Sequence, residues 1–317
     1  MKPFKTYRQQ IGILRSRGLV VDGPKAMRAL ERENYYNVIN GYKDPFLQLD
    51  ASGNVVSPER YKVGSSFGEI LKLFTFDREL RNLLLKYLLI SENNIKTKLA
   101  YRFTQKFKEP HAYLQMKNFS SNPRSLNKVL KLIATLSSLI SNKSERPGPV
   151  KHYLDNHQGV PLWVLVSYLT IGNISNFYSV LDDSLKDQIA KDFSLEYKKA
   201  YNPRYQIPRQ TIEDVLKAMN LFRNVCAHEE RLYCFKLVNP PSSRHNSHLL
   251  NIPAQYLQGS LFTTIAFLKL VLSKKDHKLL ISSLSKLFDQ YRNSFVSLHF
   301  SQVLTVMGFP SNWKTYF

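Results

Sequence analysis

Apolar residues recur along this chain at helical rather than strand spacing. Over residues 71–103, Leu73, Phe76, Leu80, Leu83, Leu84 and Tyr87 form one stripe that resumes through Ile95, Leu99 and Phe103. Over residues 209–228 the stripe is Ile212, Val215, Leu216, Met219, Phe222 and Cys226. The pattern predicts helices near 6–17, 23–32, 67–90, 91–106, 124–141, 161–170, 173–192, 209–228, 259–273, 275–293 and 299–307. No run of alternating strands and no repeat of fixed period competes with it. Residues 43–63, around the turn at 50–54, are the one place for a small hairpin, and 144–149 and 239–247 read as loops. The chain is therefore expected to be all-α.

Polar residues that fall on these stripes carry more information than the stripes themselves. Glu92 lies in register with the apolar face of 71–103. It is either a carboxylate at the edge of the stripe with its tip in water, or an inward one that needs a partner, because an unpaired buried charge is costly. Arg223 lies between Leu216 and Met219 on the wheel of 209–228, where an arginine must snorkel out along its stem or face a polar site. Asn224 and His228, four apart, share a second face. Arg223 and His228 differ by about 140° around an ideal helix. Either the last turn unwinds, or a second copy of the helix completes any site that uses both.

Composition narrows the partner. The 317 residues include 45 Lys+Arg against 24 Asp+Glu, a formal charge of +21, which suits a polyanion and most simply a nucleic acid. The excess is spread along the chain rather than held in a tail. Residues 1–21 carry Lys2, Lys5, Arg8, Arg15 and Arg17 without an acid, and 96–108 carry Lys96, Lys98, Arg102, Lys106 and Lys108 without one. Cys226 and Cys234 do not make a disulfide framework and fit a reducing cytosol. No secretory leader opens the chain, and the most apolar stretch, 261–272, is interrupted by Lys269 and too short to span a bilayer. A soluble cytoplasmic protein without a membrane partner is expected. Cys226, His228, Cys234, His245 and His248 match no common zinc spacing, and no phosphate loop, nucleophile elbow or His-Glu-x-x-His sequence occurs, so no metal or other cofactor is expected. Tyr35, Tyr36, Tyr42 and Tyr233 read as supports of the fold.

Several blocks, in order along nearly the whole chain, resemble the Abi family of phage-resistance proteins, the Abi-D/Abi-F-like group within the HEPN superfamily. They are Lys2-Pro3-Phe4 with the basic helix that follows, Tyr35 to Tyr42 with Pro45-Phe46, and Phe76-Asp77-Arg78-Glu79-Leu80-Arg81 leading to Glu92 and Lys96. Further on come Pro161-Leu162-Trp163 with 171–175, Arg223-Asn224-Val225-Cys226-Ala227-His228 with Arg231-Leu232-Tyr233, and Met307-Gly308-Phe309-Pro310 with Trp313. The resemblance implies a HEPN-like helical bundle with additional N- and C-terminal helices. On that reading, 1–66 is an N-terminal RNA-contacting segment, 67–235 the core and 236–317 a C-terminal helical segment packed on it. It also implies a metal-independent endoribonuclease toxin, working as a homodimer on RNA and restrained by an antitoxin or guard such as a small RNA.

The residue chemistry suits that activity. RNA carries its own nucleophile, the 2′-hydroxyl. His228 can act as general base or acid, Arg223 can hold the non-bridging phosphate oxygens, and Asn224 can orient His228 or donate to phosphate. Glu92 is the candidate to fix the arginine, and Lys96, Lys98, Arg102 and Arg231 are candidates to contact RNA. The alternative is a non-catalytic RNA-binding protein that acts through its basic surface. A DNA-binding regulator is weaker, because no helix-turn-helix pair with a base-reading helix is evident.

Overall fold

A computed structural model describes residues 3–201 and 204–317. Lys2, part of the first basic block, lies outside the described residues. The protein is all-α, and among the described residues strand-like pairing is limited to three isolated bridges. Two of these, Leu47 with Tyr61 and Leu49 with Val55, are what the expected hairpin amounts to.

The helices are α1 (Tyr7–Ser16), α2 (Gly23–Glu33), α3 (Phe67–Lys106), α4 (Leu126–Ser144), α5 (Pro149–Asn156), α6 (Leu162–Leu165), α7 (Ile171–Val180), α8 (Asp183–Tyr201), α9 (Arg209–Ala227), α10 (Ser243–Leu250), α11 (Leu261–Val271), α12 (Lys274–Tyr291) and α13 (Phe300–Val306). Two expectations differ. The segments 67–90 and 91–106 form one 40-residue helix, α3. Nothing at their junction breaks a helix, and the buried Ser91 hydroxyl is satisfied by donating to the Tyr87 carbonyl one turn back (2.9 Å). Conversely, 173–192 divides after Val180, because the Asp182 carboxylate accepts the Leu185 N–H (3.0 Å) and starts α8 afresh. The short helix α10 begins inside the expected loop 239–247, whereas α5 starts only at the end of the expected loop 144–149.

Helix α3 is the spine. It begins at a capping box in which Ser66 and Glu69 satisfy each other's backbone N–H groups. Glu69 Oε1 also accepts the N–H groups of Val296 and Ser297 (both 2.7 Å), which ties the C-terminal region to the start of α3. Helices α8, α9, α11 and α12 pack along α3, and α9 also lies against α7, α8 and α11. Helix α11 is buried nearly all round, and its Lys269 ammonium donates to the Tyr316 carbonyl (2.8 Å). The apolar run at 261–272 is thus core, and among the described residues no helix is long and apolar enough to cross a membrane. One continuous cluster of buried side chains runs from Ile11 to Trp313.

Candidate functional site

The Arg-Asn-x-x-x-His sequence occupies the last turn of α9 and its cap. His228 is the C-cap residue, with its N–H on the Asn224 carbonyl (2.9 Å). Glu229 follows at φ 56°, and the Glu230 N–H returns to the Val225 carbonyl (3.0 Å). This is a Schellman cap with a glutamate in the left-handed position that glycine normally takes. The cap stops the helix sharply and leaves the His228 ring exposed.

The chain leaving the cap is caught by two charged residues of α3. Asp77 is fully buried and accepts from the Tyr42 hydroxyl (2.7 Å), the Arg81 guanidinium (2.7 Å) and the N–H groups of Leu232 (2.9 Å) and Tyr233 (2.7 Å). Arg81 also donates to the Glu230 carbonyl (3.1 Å). Burial pushes the Asp77 carboxyl upward, and the Tyr42, Arg81, Leu232 and Tyr233 donors act against that. The Tyr42 ring stacks on Tyr233, with centroids 5.6 Å apart. One buried network therefore joins the N-terminal segment, α3 and the exit from α9. Asp77 and Arg81 had no assigned role in the sequence. Their signal was present, since Asp77 stands four after Leu73 and three before Leu80, with an opposite charge four residues on.

Arg223 and Asn224 are half-buried on α9. Among the described residues Arg223 has no ion pair, and its Nε is buried without a hydrogen-bond partner. The other half-buried or buried arginines of α3 behave differently, with Arg78 on Glu33, Arg81 on Asp77 and Arg102 on Asp192. Glu92, the expected partner of Arg223, is buried and pairs instead with Lys96 (2.6 Å), four residues along the same helix face. Lys98 pairs with Glu196 and Arg102 with Asp192 on α8. Three of the four candidate RNA-contacting cations are thus engaged inside the protein. The fourth, Arg231, stays half-exposed, donating to the Gly41 carbonyl (3.3 Å) and lying 3.7 Å from Asp44.

His228 lines a groove of about 830 Å³ whose walls come from 32–42, from α3 and from the segment 229–236. Arg32, Arg78, Arg81, Arg231 and Lys236 supply its cations, and Glu33, Glu229 and Glu230 its acids. Among the described residues Arg223 does not line it. Arg223, which falls about 140° from His228 on an ideal helix, thus takes no part in the groove that His228 lines. Cys226 and Cys234 are free, and burial pushes the Cys226 thiol up to about 12. Among the described residues no group of three or more His, Cys, Asp or Glu side chains is placed to hold a metal ion. Of the tyrosines expected to support the fold, Tyr42 and Tyr233 are buried, whereas Tyr36 projects from the surface with 69% of its area exposed.

The fold and site together define an all-α protein with a charged groove at the capped end of a histidine-bearing helix. A profile of the Abi-like protein family matches residues 28–234, well over half of the chain and all of the groove's lining except Phe235 and Lys236. The chain belongs to the Abi-like protein family, which links it to abortive-infection defence against phage. No match was found among curated proteins or among solved structures.

Proposed function

We propose that this protein is a metal-independent endoribonuclease of the HEPN type, acting in phage defence, with its active site completed by a second copy of the chain. The observation that carries the reading is Arg223. A half-buried guanidinium with a buried, unpartnered Nε is costly unless an anion completes it. A phosphodiester supplies that anion. His228, exposed one turn on, supplies an imidazole that can serve as general base or acid. Because the two differ by about 140° around an ideal helix, a symmetric pair of α9 ends would bring Arg223 of one copy toward His228 of the other.

In the proposed reaction the 2′-oxygen loses its proton to a His228 imidazole and bonds to phosphorus. The bond from phosphorus to the 5′-oxygen breaks, and that oxygen takes up a proton. The products are a 2′,3′-cyclic phosphate and a 5′-hydroxyl. Arg223 holds the non-bridging oxygens as charge builds there.

The test is cleavage of RNA in excess EDTA beside a matched 2′-deoxy substrate. RNA cutting is expected and DNA cutting is not. Arg223→Ala and His228→Ala are each expected to lose at least about 10²-fold in rate with an unchanged circular dichroism spectrum. Mixing the two inactive variants is expected to recover part of the activity. Equal cutting of both substrates, or full activity in either variant, overturns the reading.

A further inference from the structure

The groove beside His228 is built within one chain, unlike the paired site proposed above. Its composition argues for a ligand. Arg32 and Arg78 are held by Glu33, and Arg81 by Asp77. That leaves Arg231, which donates to the Gly41 carbonyl and has a 3.7 Å ion contact with Asp44, and Lys236, exposed and without an ion pair among the described residues. The acids Glu229 and Glu230 are exposed beside them. A bare polyanion fits such a mixed lining poorly. A nucleoside with one flanking phosphate fits it well, because carboxylates accept from base amino groups and the ribose 2′-hydroxyl while the cations hold the phosphate.

The aromatic part of the lining points the same way. Residues 36–40 form a π-helical turn, a geometry uncommon in proteins and frequent at functional sites. The turn packs Val38 and Ile39 into the core and leaves the Tyr36 ring out in solvent at the edge of the groove. Its entry is fixed by Asn34, at φ 66°, whose side-chain oxygen accepts the Tyr36 N–H (2.9 Å). Asn34 and Glu229 are two of the four non-glycine residues with positive φ among the described residues, and both line this groove. Strained backbone persists where the surroundings hold it in place, and it gathers at binding sites. The volume of about 830 Å³ lies within the ordinary range for small-ligand pockets.

We infer that this groove is a nucleotide pocket for unpaired RNA. The base stacks on Tyr36, Arg231 and Lys236 hold the flanking phosphate, and the strand is thereby set so that the neighbouring phosphate faces His228. The identity of the polymer rests on the ribonuclease reading; the pocket itself rests on the groove.

The test uses the full chain carrying His228→Ala and a fluorescein-labelled single-stranded RNA of mixed sequence, read by fluorescence anisotropy. Tyr36→Ala is expected to weaken binding about tenfold, within the range for a stacked base, while Tyr36→Phe binds normally. Arg231→Ala and Lys236→Ala are each expected to lower the salt slope by about 0.7. Tyr205→Ala, an exposed tyrosine away from the groove, serves as the control and is expected to change nothing. Absence of single-strand binding, or affinity that Tyr36→Ala leaves unchanged, overturns the pocket. Cleavage by the wild type separates the two readings. Tyr36-dependent binding without any cleavage overturns the nuclease and keeps the pocket. Cleavage lost in His228→Ala, with a KM indifferent to Tyr36→Ala, keeps the nuclease and overturns the pocket.

Discussion

Asp77 and Tyr233 stand 156 positions apart, and the carboxylate of one accepts the backbone N–H of the other at 2.7 Å. With Leu232 bound to the same carboxylate and Arg81 on the Glu230 carbonyl, this contact decides where the chain goes after His228. Asp77→Ala removes the acceptor and leaves the buried Arg81 charge without its carboxylate. A loss of about 3–5 kcal/mol of unfolding free energy is expected, by analogy with other broken buried pairs. Urea denaturation measures it, and a loss below about 1 kcal/mol would contradict the network's role.

Glu229 holds the left-handed position of the α9 cap, which costs an L-residue with a Cβ roughly 1–2 kcal/mol. Glu229→Gly is expected to raise stability by about 1 kcal/mol, part of the relief being offset by the greater freedom of glycine in the unfolded chain. A rise in thermal midpoint is the expected readout; a fall would mean that the glutamate side chain contributes more than its backbone costs.

His277 gives the protein an acid sensitivity of its own. Burial, reinforced by the charge of Lys269, pushes its imidazole down to about 3, from an ordinary value of 6.5. The unfolded chain takes up this proton as pH falls below 6.5 and the folded chain does not until about 3, so stability present above 6.5 is lost across that interval. The slope is about 1.4 kcal/mol per pH unit once the unfolded histidine is fully protonated. His277→Gln is expected to remove this component. Denaturation of both proteins between pH 6.5 and 5 checks it, and parallel curves would refute it.

Arg102 tests whether the basic run of α3 serves the fold. Its guanidinium holds both oxygens of Asp192 across the α3–α8 contact. Arg102→Asp is expected to destabilise the protein, and the exchange with Asp192→Arg to recover about 1–2 kcal/mol of that loss. A double variant no more stable than the sum of the single changes predicts would show that the pair is uncoupled.

The helices were legible because apolar spacing alone sets which face is buried, as α9 and its stripe from Ile212 to Cys226 show. The odd position of Arg223 was legible for the same reason: a cation on an apolar stripe is visible on a wheel. Partner choice was not. Glu92 lies in the stripe, but a wheel does not say that Lys96 on its own helix reaches it before any arginine elsewhere. The basic run 96–108 looked unopposed because its acids, Asp182, Asp192 and Glu196, sit far along the chain on α8 or just before it. Tyr36 reads from the sequence as a support of the fold, like Tyr35 and Tyr42, because residue type alone does not show that the π-helical turn at 36–40 leaves its ring exposed.

The length of α3 has a further consequence. Its 40 residues span about 60 Å without a joint, and three separate stations along it hold other parts of the chain: Glu69 near its start, Asp77 and Arg81 in the first half, and Lys98, Arg102 and Lys106 in the second. One residue inserted between Arg81 and Lys98 would turn the second half by about 100° and advance it about 1.5 Å relative to the first. Every station beyond the insertion would miss its partner at once. The exposed turn at 50–54 absorbs an added residue with no such penalty. The spacing within α3 is in effect a gauge, and the site at the end of α9 is set to it.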